Sequence, residues 1–540
     1  VSDRQQGGRG DGGQRRGRGP RDHGARPRQR SERGTGGQGR SAAVPRDAGQ
    51  RDARPRISPA RLVAYDVLRD VAERDAYANL ALPVRIREAG LDPRDAGLAT
   101  ELAAGALRGR GRYDRIIELA ADRAIDRIDA STRDVLRLGA HQLLGMRTAA
   151  HAAVNESVEL QRRVGNRGAA GFVNGVLRSI GRASNEEWDR RIAEHASDPD
   201  DALAARTSHP AWVLRALRDA LRADGRAAEL RELLDADNVP PRVSLALLPG
   251  GDVSAAAAAG RLTEFGAAPT GPSPIGIELG GGDPGRAIAT LGGREGYARV
   301  QDQGSQLAAL ALTRARAAVP GERWLDLCAG PGGKTAVLGA EAIAAGATVR
   351  ANEVSEHRAE LVRRSVAAVA EAVDVVSHDG RDDAAFGGAH ARFDRILVDA
   401  PCSGLGALRR RPEARWRKRP SDLPELTRLQ AELLDAAVAH LAPGGLLAYV
   451  TCSPHVAETR AIIDRLLRRH DGIAELDARS VIGGLVRAEA GGAAAARPDG
   501  DDAAPEAGSG FRLTGSAPSA QLWPHAHGTD AMFVALFERR

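Results

Sequence analysis

The sequence predicts an all-helical domain followed by an α/β domain built on a parallel, doubly wound sheet. Three observations predict this. The 540 residues give room for about three domains of ordinary size. Between residues 57 and 183 apolar residues recur at helical spacing, with no strand-like alternation. From residue 301 the pattern becomes short apolar runs separated by helix-like stretches, each run ending in a polar or reactive residue.

Residues 1–56 stand apart. They hold 15 arginines and 6 acids among Gly, Gln and Pro, with almost no large apolar side chain. Such a segment cannot bury enough surface to offset its ordering entropy and is expected to be a disordered Arg/Gly-rich tail. It lacks the apolar stretch of a secretory signal. The whole chain carries 77 basic and 71 acidic residues, a net +6, so residues 57–540 together are slightly acidic. Bulk charge therefore says little about the folded part. Three cysteines exclude a disulfide scaffold and point to a reducing, cytoplasmic setting. The absence of any apolar stretch of membrane-spanning length leads to no expected membrane partner.

In residues 57–183, Leu136, Ala140, Leu143 and Leu144 share one helical face, as do Phe172, Val173, Val176, Leu177 and Ile180. Residues 184–300 read as a helical linker, from Trp212 to Leu234, then a break at Pro240-Pro241 and a small α/β subdomain. Residues 301–540 carry the five apolar runs, 323–328, 348–353, 373–379, 393–399 and 445–452. Residues 489–510 are acidic, low in complexity, and expected to be a flexible insertion. In doubly wound sheets ligands bind outside the carboxyl ends of the strands, where all five runs end in polar or reactive residues.

After the first run comes Asp326-Leu327-Cys328-Ala329-Gly330-Pro331-Gly332-Gly333-Lys334-Thr335. Glycines there let backbone approach a ligand, and the next helix would begin at the loop. A phosphate-binding P-loop needs glycine at 328, where Cys328 stands, and the dinucleotide glycine pattern also fails. Glu353 ends the second run, suited to ribose hydroxyls. Asp379 ends the third, suited to an adenine amine, and Asp399 ends the fourth. A glycine loop with a ribose-binding acid but no phosphate spacing points to S-adenosyl-L-methionine. Only two of the 77 basic residues are lysine, Lys334 and Lys418. Lys334 is expected to find a local charge partner, Asp399 being the candidate.

Cys402 and Cys452 follow the fourth and fifth runs, and no metal-binding spacing accompanies them. Nucleophilic catalysis explains the placement. Cytosine C5 cannot attack a sulfonium methyl unaided, but a thiolate adding to C6 makes C5 enamine-like. Two cysteines fit two tasks, adding and assisting release. Arg409, Arg410, Arg411, Arg415, Trp416, Arg417 and Lys418 lie in a segment with seven bases and one acid, expected to contact RNA phosphates and stack on bases.

These motifs resemble the RNA 5-methylcytosine methyltransferase family: DLCAGPGGKT at 326–335, HDGR at 378–381, DAPCSGLGALRRRPEARW at 399–416, TCSPHVAE at 451–458 and LWPHAHGTDAMF at 522–533. Segments 91–114, 135–146, 153–163 and 171–180 resemble a NusB-like RNA-binding domain, which marks the ribosomal RNA branch. The resemblance implies a Rossmann-like class I methyltransferase domain, Cys452 as nucleophile and Cys402 as release residue; from its position, Asp399 is expected to orient or protonate the cytosine ring. It implies 16S ribosomal RNA, in the small subunit or an assembly intermediate, as substrate. A monomer is the default. The alternative from another class is a non-catalytic RNA-binding or ribosome-assembly factor working through the NusB-like domain.

Overall fold

The structure is a computed structural model and describes residues 57–486 and 511–540. The expectations for the tail at 1–56 and the insertion at 489–510 lie outside the described residues.

Seven helices form the first domain: α1 (Pro59–Glu73), α2 (Ala78–Glu88), α3 (Pro93–Arg108), α4 (Arg110–Ala121), α5 (Ala130–Leu144), α6 (Ala150–Val164) and α7 (Ala170–Ile180). Asp92 and Asp129 cap α3 and α5 by accepting from the amide three residues on, which satisfies an orphan donor of the first turn. The apolar faces meet in one core of Val67, Leu102, Ile116, Leu136, Val173, Leu177 and Ile180. Four shorter helices follow: α8 (Asn185–Glu194), α9 (Pro199–Arg206), α10 (Ala211–Ala223) and α11 (Leu230–Ala236). Leu214, Leu217 and Leu221 of α10 and Leu233 and Leu234 of α11 share a core with Leu405, Leu408, Trp523 and Ala531. The linker is thus a buttress packed against loops of the α/β domain.

Strands β1 (Val243–Leu247), β2 (Gly276–Leu279) and β3 (Ala298–Val300) make a small antiparallel sheet in the order β2-β1-β3. The main sheet contains β4 (Arg323–Asp326), β5 (Thr348–Asn352), β6 (Val373–Val376), β7 (Phe393–Asp399), β8 (Leu441–Thr451), β9 (Ile473–Leu476), β10 (Ala520–Gln521) and β11 (Phe533–Arg539). Its order is β10-β11-β8-β7-β4-β5-β6, with β9 also paired to β11. The central strands are apolar through both faces, Ile396 to Val398 and Leu447 to Val450 being fully buried, because helices cover both sides.

The expected parallel sheet holds from β6 to β8. Beyond β8 it is corrected: β11 runs antiparallel to β8, β9 and β10, so the sheet is mixed. The run from Phe533 carries no local mark of its direction, which is set by its neighbours. Sequence reading also passed over Arg395, buried in the middle of β7. Its guanidinium donates to Glu322 at 2.7 Å and to the carbonyls of Leu312, Thr313 and Arg316, so every donor that burial strips of water is re-paired.

Candidate active site

β4 is the centre of the parallel strands, with β5 and β6 on one side and β7 and β8 on the other, so the chain reverses its order there and leaves a crevice at the carboxyl edge. The loop after β4 enters the helix Gly333–Ala345 through Gly332, at φ +87°. A Cβ on Gly332 would stand 2.7 Å from that of Ser365 and 3.2 Å from the Val362 backbone, so both conformation and space require glycine. Asn352, ending β5, donates to the carbonyls of Leu327 and His378 and accepts from the His378 amide, tying three strand ends together.

The acids take distinct places. Glu353 is buried, accepts from the Gly330 amide at 3.0 Å and pairs with Arg358 at 3.4 Å. Asp379 lies nearer the surface, and the hydrogen bonds from Arg381 hold its carboxyl down to about 2. Asp326, not singled out from the sequence, is fully buried. One oxygen accepts from Thr335 at 2.8 Å and the other has no partner, while burial pushes its carboxyl up to about 7. Lys334 Nζ donates to Asp399 Oδ2 at 2.7 Å, the partnership its rarity suggested. Burial alone would lower the Lys334 ammonium, and Asp399, together with Cys452 and Asp326, more than reverses this.

Cys402 and Cys452 come together because β7 and β8 are parallel neighbours, with Asp399 opposite Val450. Their sulfurs are 3.5 Å apart. The Gly406 amide donates to the Cys452 carbonyl and the Ala531 amide to the Gly406 carbonyl, both at 2.8 Å, so the 522–533 motif locks the two cysteine loops. The Cys452 thiol is drawn below its ordinary value, first by the hydrogen bond with Cys402 and further by Lys334, against burial and Asp399. The same hydrogen bond, burial and nearby negative charge push Cys402 well up. Burial, with Asp326, Asp399 and Glu353 around it, pushes Cys328 well up too, which leaves it a neutral loop residue.

A network missed from the sequence lies beneath the pair. Glu458, fully buried, accepts from the Ser403 amide at 2.8 Å, from both the Ser403 and Ser453 hydroxyls, and from Gln430 at 3.1 Å. The only sequence signal was its place within TCSPHVAE.

Much of the basic segment is engaged within the protein. Arg409 and Arg410 are ion-paired to the buried carboxylates of Asp302 and Asp530. Arg415 is fully buried and donates to the carbonyls of Ser208 and Asp237 and to Asn238 Oδ1. Arg417 donates to the carbonyls of Val71 and Ala76, and Trp416 lies under the Arg110 guanidinium. Arg415, Trp416 and Arg417 thus join the α/β domain to the helical domain and linker, while Arg409 and Arg410 are held within the α/β domain. Arg411 stays exposed, with its guanidinium over Tyr77, and Lys418 is half-buried. Among the described residues no cluster of three or more His, Cys, Asp or Glu could hold a metal, and no helix is long and apolar enough to cross a membrane.

The mixed sheet, the glycine loop with its ring of acids, and the thiol pair define a methyltransferase with a helical domain attached. Comparison with known proteins makes this specific. Residues 314–538 match the family described as 16S rRNA methyltransferase RsmB/F, and residues 58–182 match the NusB family. A putative methyltransferase of Mycobacterium tuberculosis is 44% identical over 505 residues, 92% of this chain and 99% of its own length. The ribosomal RNA small subunit methyltransferase B of Pseudomonas putida is 33% identical over 430 residues, 77% of this chain and 91% of its own. The chain belongs to the 16S rRNA methyltransferase RsmB/F family. The crystal structure of PH0851 shares its fold, with a TM-score of 0.69 over 90% of this chain and 99% of that one, at 19% identity.

Proposed function

We propose that the chain transfers a methyl group from S-adenosyl-L-methionine to cytosine C5 in 16S ribosomal RNA, through a covalent bond between Cys452 and C6. The observation that carries this is the thiol pair at 3.5 Å, at the sheet edge and beside the Lys334–Asp399 ion pair. A pure RNA-binding scaffold has no use for such a pair.

The cleft suits the cofactor chemically. Asp326 keeps an unpaired buried oxygen, and the loop from Cys328 through Ala329, Gly330, Pro331, Gly332 and Gly333 to Lys334 would offer its backbone to the cofactor. Gly330, Gly332 and Gly333 would lie against the methionine part, Glu353 would hold the ribose and Asp379 the adenine. Bound there, S-adenosyl-L-methionine supplies the electrophilic methyl group. The chain's residues do the rest. Cys452 thiolate adds its electron pair to C6, while Asp399 orients the ring. C5 becomes nucleophilic. Once C5 carries the methyl, loss of its proton to a base and departure of the Cys452 thiolate restore the aromatic ring, with Cys402 assisting that release. For RNA contact, Arg411 and Lys418 are the members of the predicted basic set we retain as phosphate contacts.

The test traps the adduct. RNA is incubated with Cys402→Ala and Cys452→Ala chains and run on denaturing gels. Adduct from Cys402→Ala alone is expected, and adduct from Cys452→Ala alone would reverse the assignment. Mapping 5-methylcytosine in 16S RNA with and without the gene then identifies the base.

A further inference from the structure

Two thiols 3.5 Å apart share one hydrogen bond, so groups outside the pair decide which sulfur keeps the proton. The surroundings are not symmetrical. Cys452 faces Cys402, the Lys334 ammonium and the carboxylates of Asp399 and Asp530. Cys402 faces Cys452, the Gly404 amide, the Glu458 carboxylate and the buried Tyr449 hydroxyl, and Glu458 in turn faces His455, whose imidazole burial holds below its ordinary value. Glu458 is itself fully buried, and all four of its hydrogen-bond donors are neutral groups. Burying a carboxylate without a counter-ion costs free energy that a neutral residue would not. Glu458 also joins the two cysteine loops directly, since Ser403 adjoins Cys402 and Ser453 adjoins Cys452, and the two hydroxyls are 2.9 Å apart.

We propose that Glu458 is a positioning residue that assigns the two thiols their roles: it clamps both loops through Ser403 and Ser453, and its charge on the Cys402 side keeps Cys402 the proton donor and Cys452 the acceptor. This rests on the reading of Cys452 as nucleophile. The direction in which each thiol is shifted agrees with it, Cys402 up and Cys452 down. The inference gives the buried charge a purpose that loop tethering alone does not require. An uncharged glutamine would tether equally well: its oxygen can accept from the Ser403 amide and Gln430, and its amide can donate to the two hydroxyls once these rotate.

The experiment is the pH profile of iodoacetamide alkylation at each cysteine, read by peptide mass spectrometry on the full-length chain without RNA. In the parent chain Cys452 is expected to react at the lower pH. Glu458→Gln is expected to lower the Cys402 midpoint by about one pH unit or more, the size of a nearby like charge removed. Glu458→Asp, which keeps the charge, is expected to leave that midpoint high. An unmoved Cys402 profile in Glu458→Gln, or an equal fall in Glu458→Asp, would overturn the proposal. If Glu458→Gln does not fold, Cys452→Ser serves with Glu458 intact. There the Cys402 midpoint must stay above the ordinary thiol value of about 8.5, and a fall to it overturns the proposal. Should Cys402 react at the lower pH in the parent chain, the nucleophile assignment fails and the proposal with it, whereas failure of the variants alone leaves that assignment standing.

Discussion

Replacing Lys334 by methionine keeps the length of the side chain and deletes one buried cation. The ammonium lies 2.7 Å from Asp399, and the two side chains are 10% and 30% exposed. Removing one partner of a buried pair costs about 3–5 kcal/mol, and the residual exposure of Asp399 places this case near about 3 kcal/mol. The chemical effect is separate. Cys452 loses the Lys334 cation and is left beside Asp399 and Asp530, so its thiol is expected to rise. Each unit removes about nine-tenths of the thiolate at a pH below the midpoint. Methyl transfer at neutral pH should therefore fall, by about tenfold for each unit the thiol rises, and recover as pH is raised. The assay is methyl incorporation into 16S RNA from pH 6 to about 10, beside urea denaturation to confirm folding. A pH profile that drops in amplitude but keeps the parent midpoint would refute the reasoning, because Lys334 would then act only by holding Asp399 in place.

Arg415→Gln, which strands buried carbonyls of Ser208 and Asp237, should lower the urea midpoint without changing the salt slope of RNA binding, whereas Arg411→Glu should reduce that slope by about one and leave stability near the parent value. Gly406→Ala places a Cβ 2.0 Å from the Ala531 carbonyl and 2.8 Å from that of Cys452; methyl transfer should fall more than about tenfold while calorimetric binding of S-adenosyl-L-methionine persists. Because burial raises the Asp326 carboxyl to about 7, the folded chain keeps a proton that the unfolded chain loses near pH 4, so this group's contribution to stability declines as pH rises from about 4 to 7. Asp326→Asn should remove that decline, so the variant's urea midpoint should gain on the parent's across that window.

The site was legible where chemistry is written into short motifs. The loop from Cys328 to Lys334, the acids after β5 and β7, and both cysteines stand at the carboxyl edge of one sheet, because apolar runs that end in reactive residues align at the same edge of a parallel sheet. Partnerships across long sequence separation were less legible. Lys334 with Asp399 was reachable only because lysine is so rare here. Glu458 with Ser403, 55 residues apart, was not, since an acid inside a motif looks like any helix-start acid until the strands align. Arg395 was hidden because its four acceptors come from Glu322 and from carbonyls 79 to 83 residues away. The antiparallel β11 was missed because strand direction depends on tertiary neighbours.

The fate of the basic segment turns on one physical distinction. Seven bases and one acid between 409 and 419 read as an electrostatic surface if counted, but burial decides what a charge does. Arg409 and Arg410 neutralise Asp302 and Asp530, two carboxylates beside the loops that hold Cys452, and Asp302 is held below its ordinary range, burial notwithstanding, by those two guanidiniums. Arg415 reaches back to the end of the linker, and Arg417 to the turn between α1 and α2. The segment that follows Cys402 thus reaches the helical domain, the linker and the closing motif at once. Its arginines fix where the helical domain stands relative to the thiol pair.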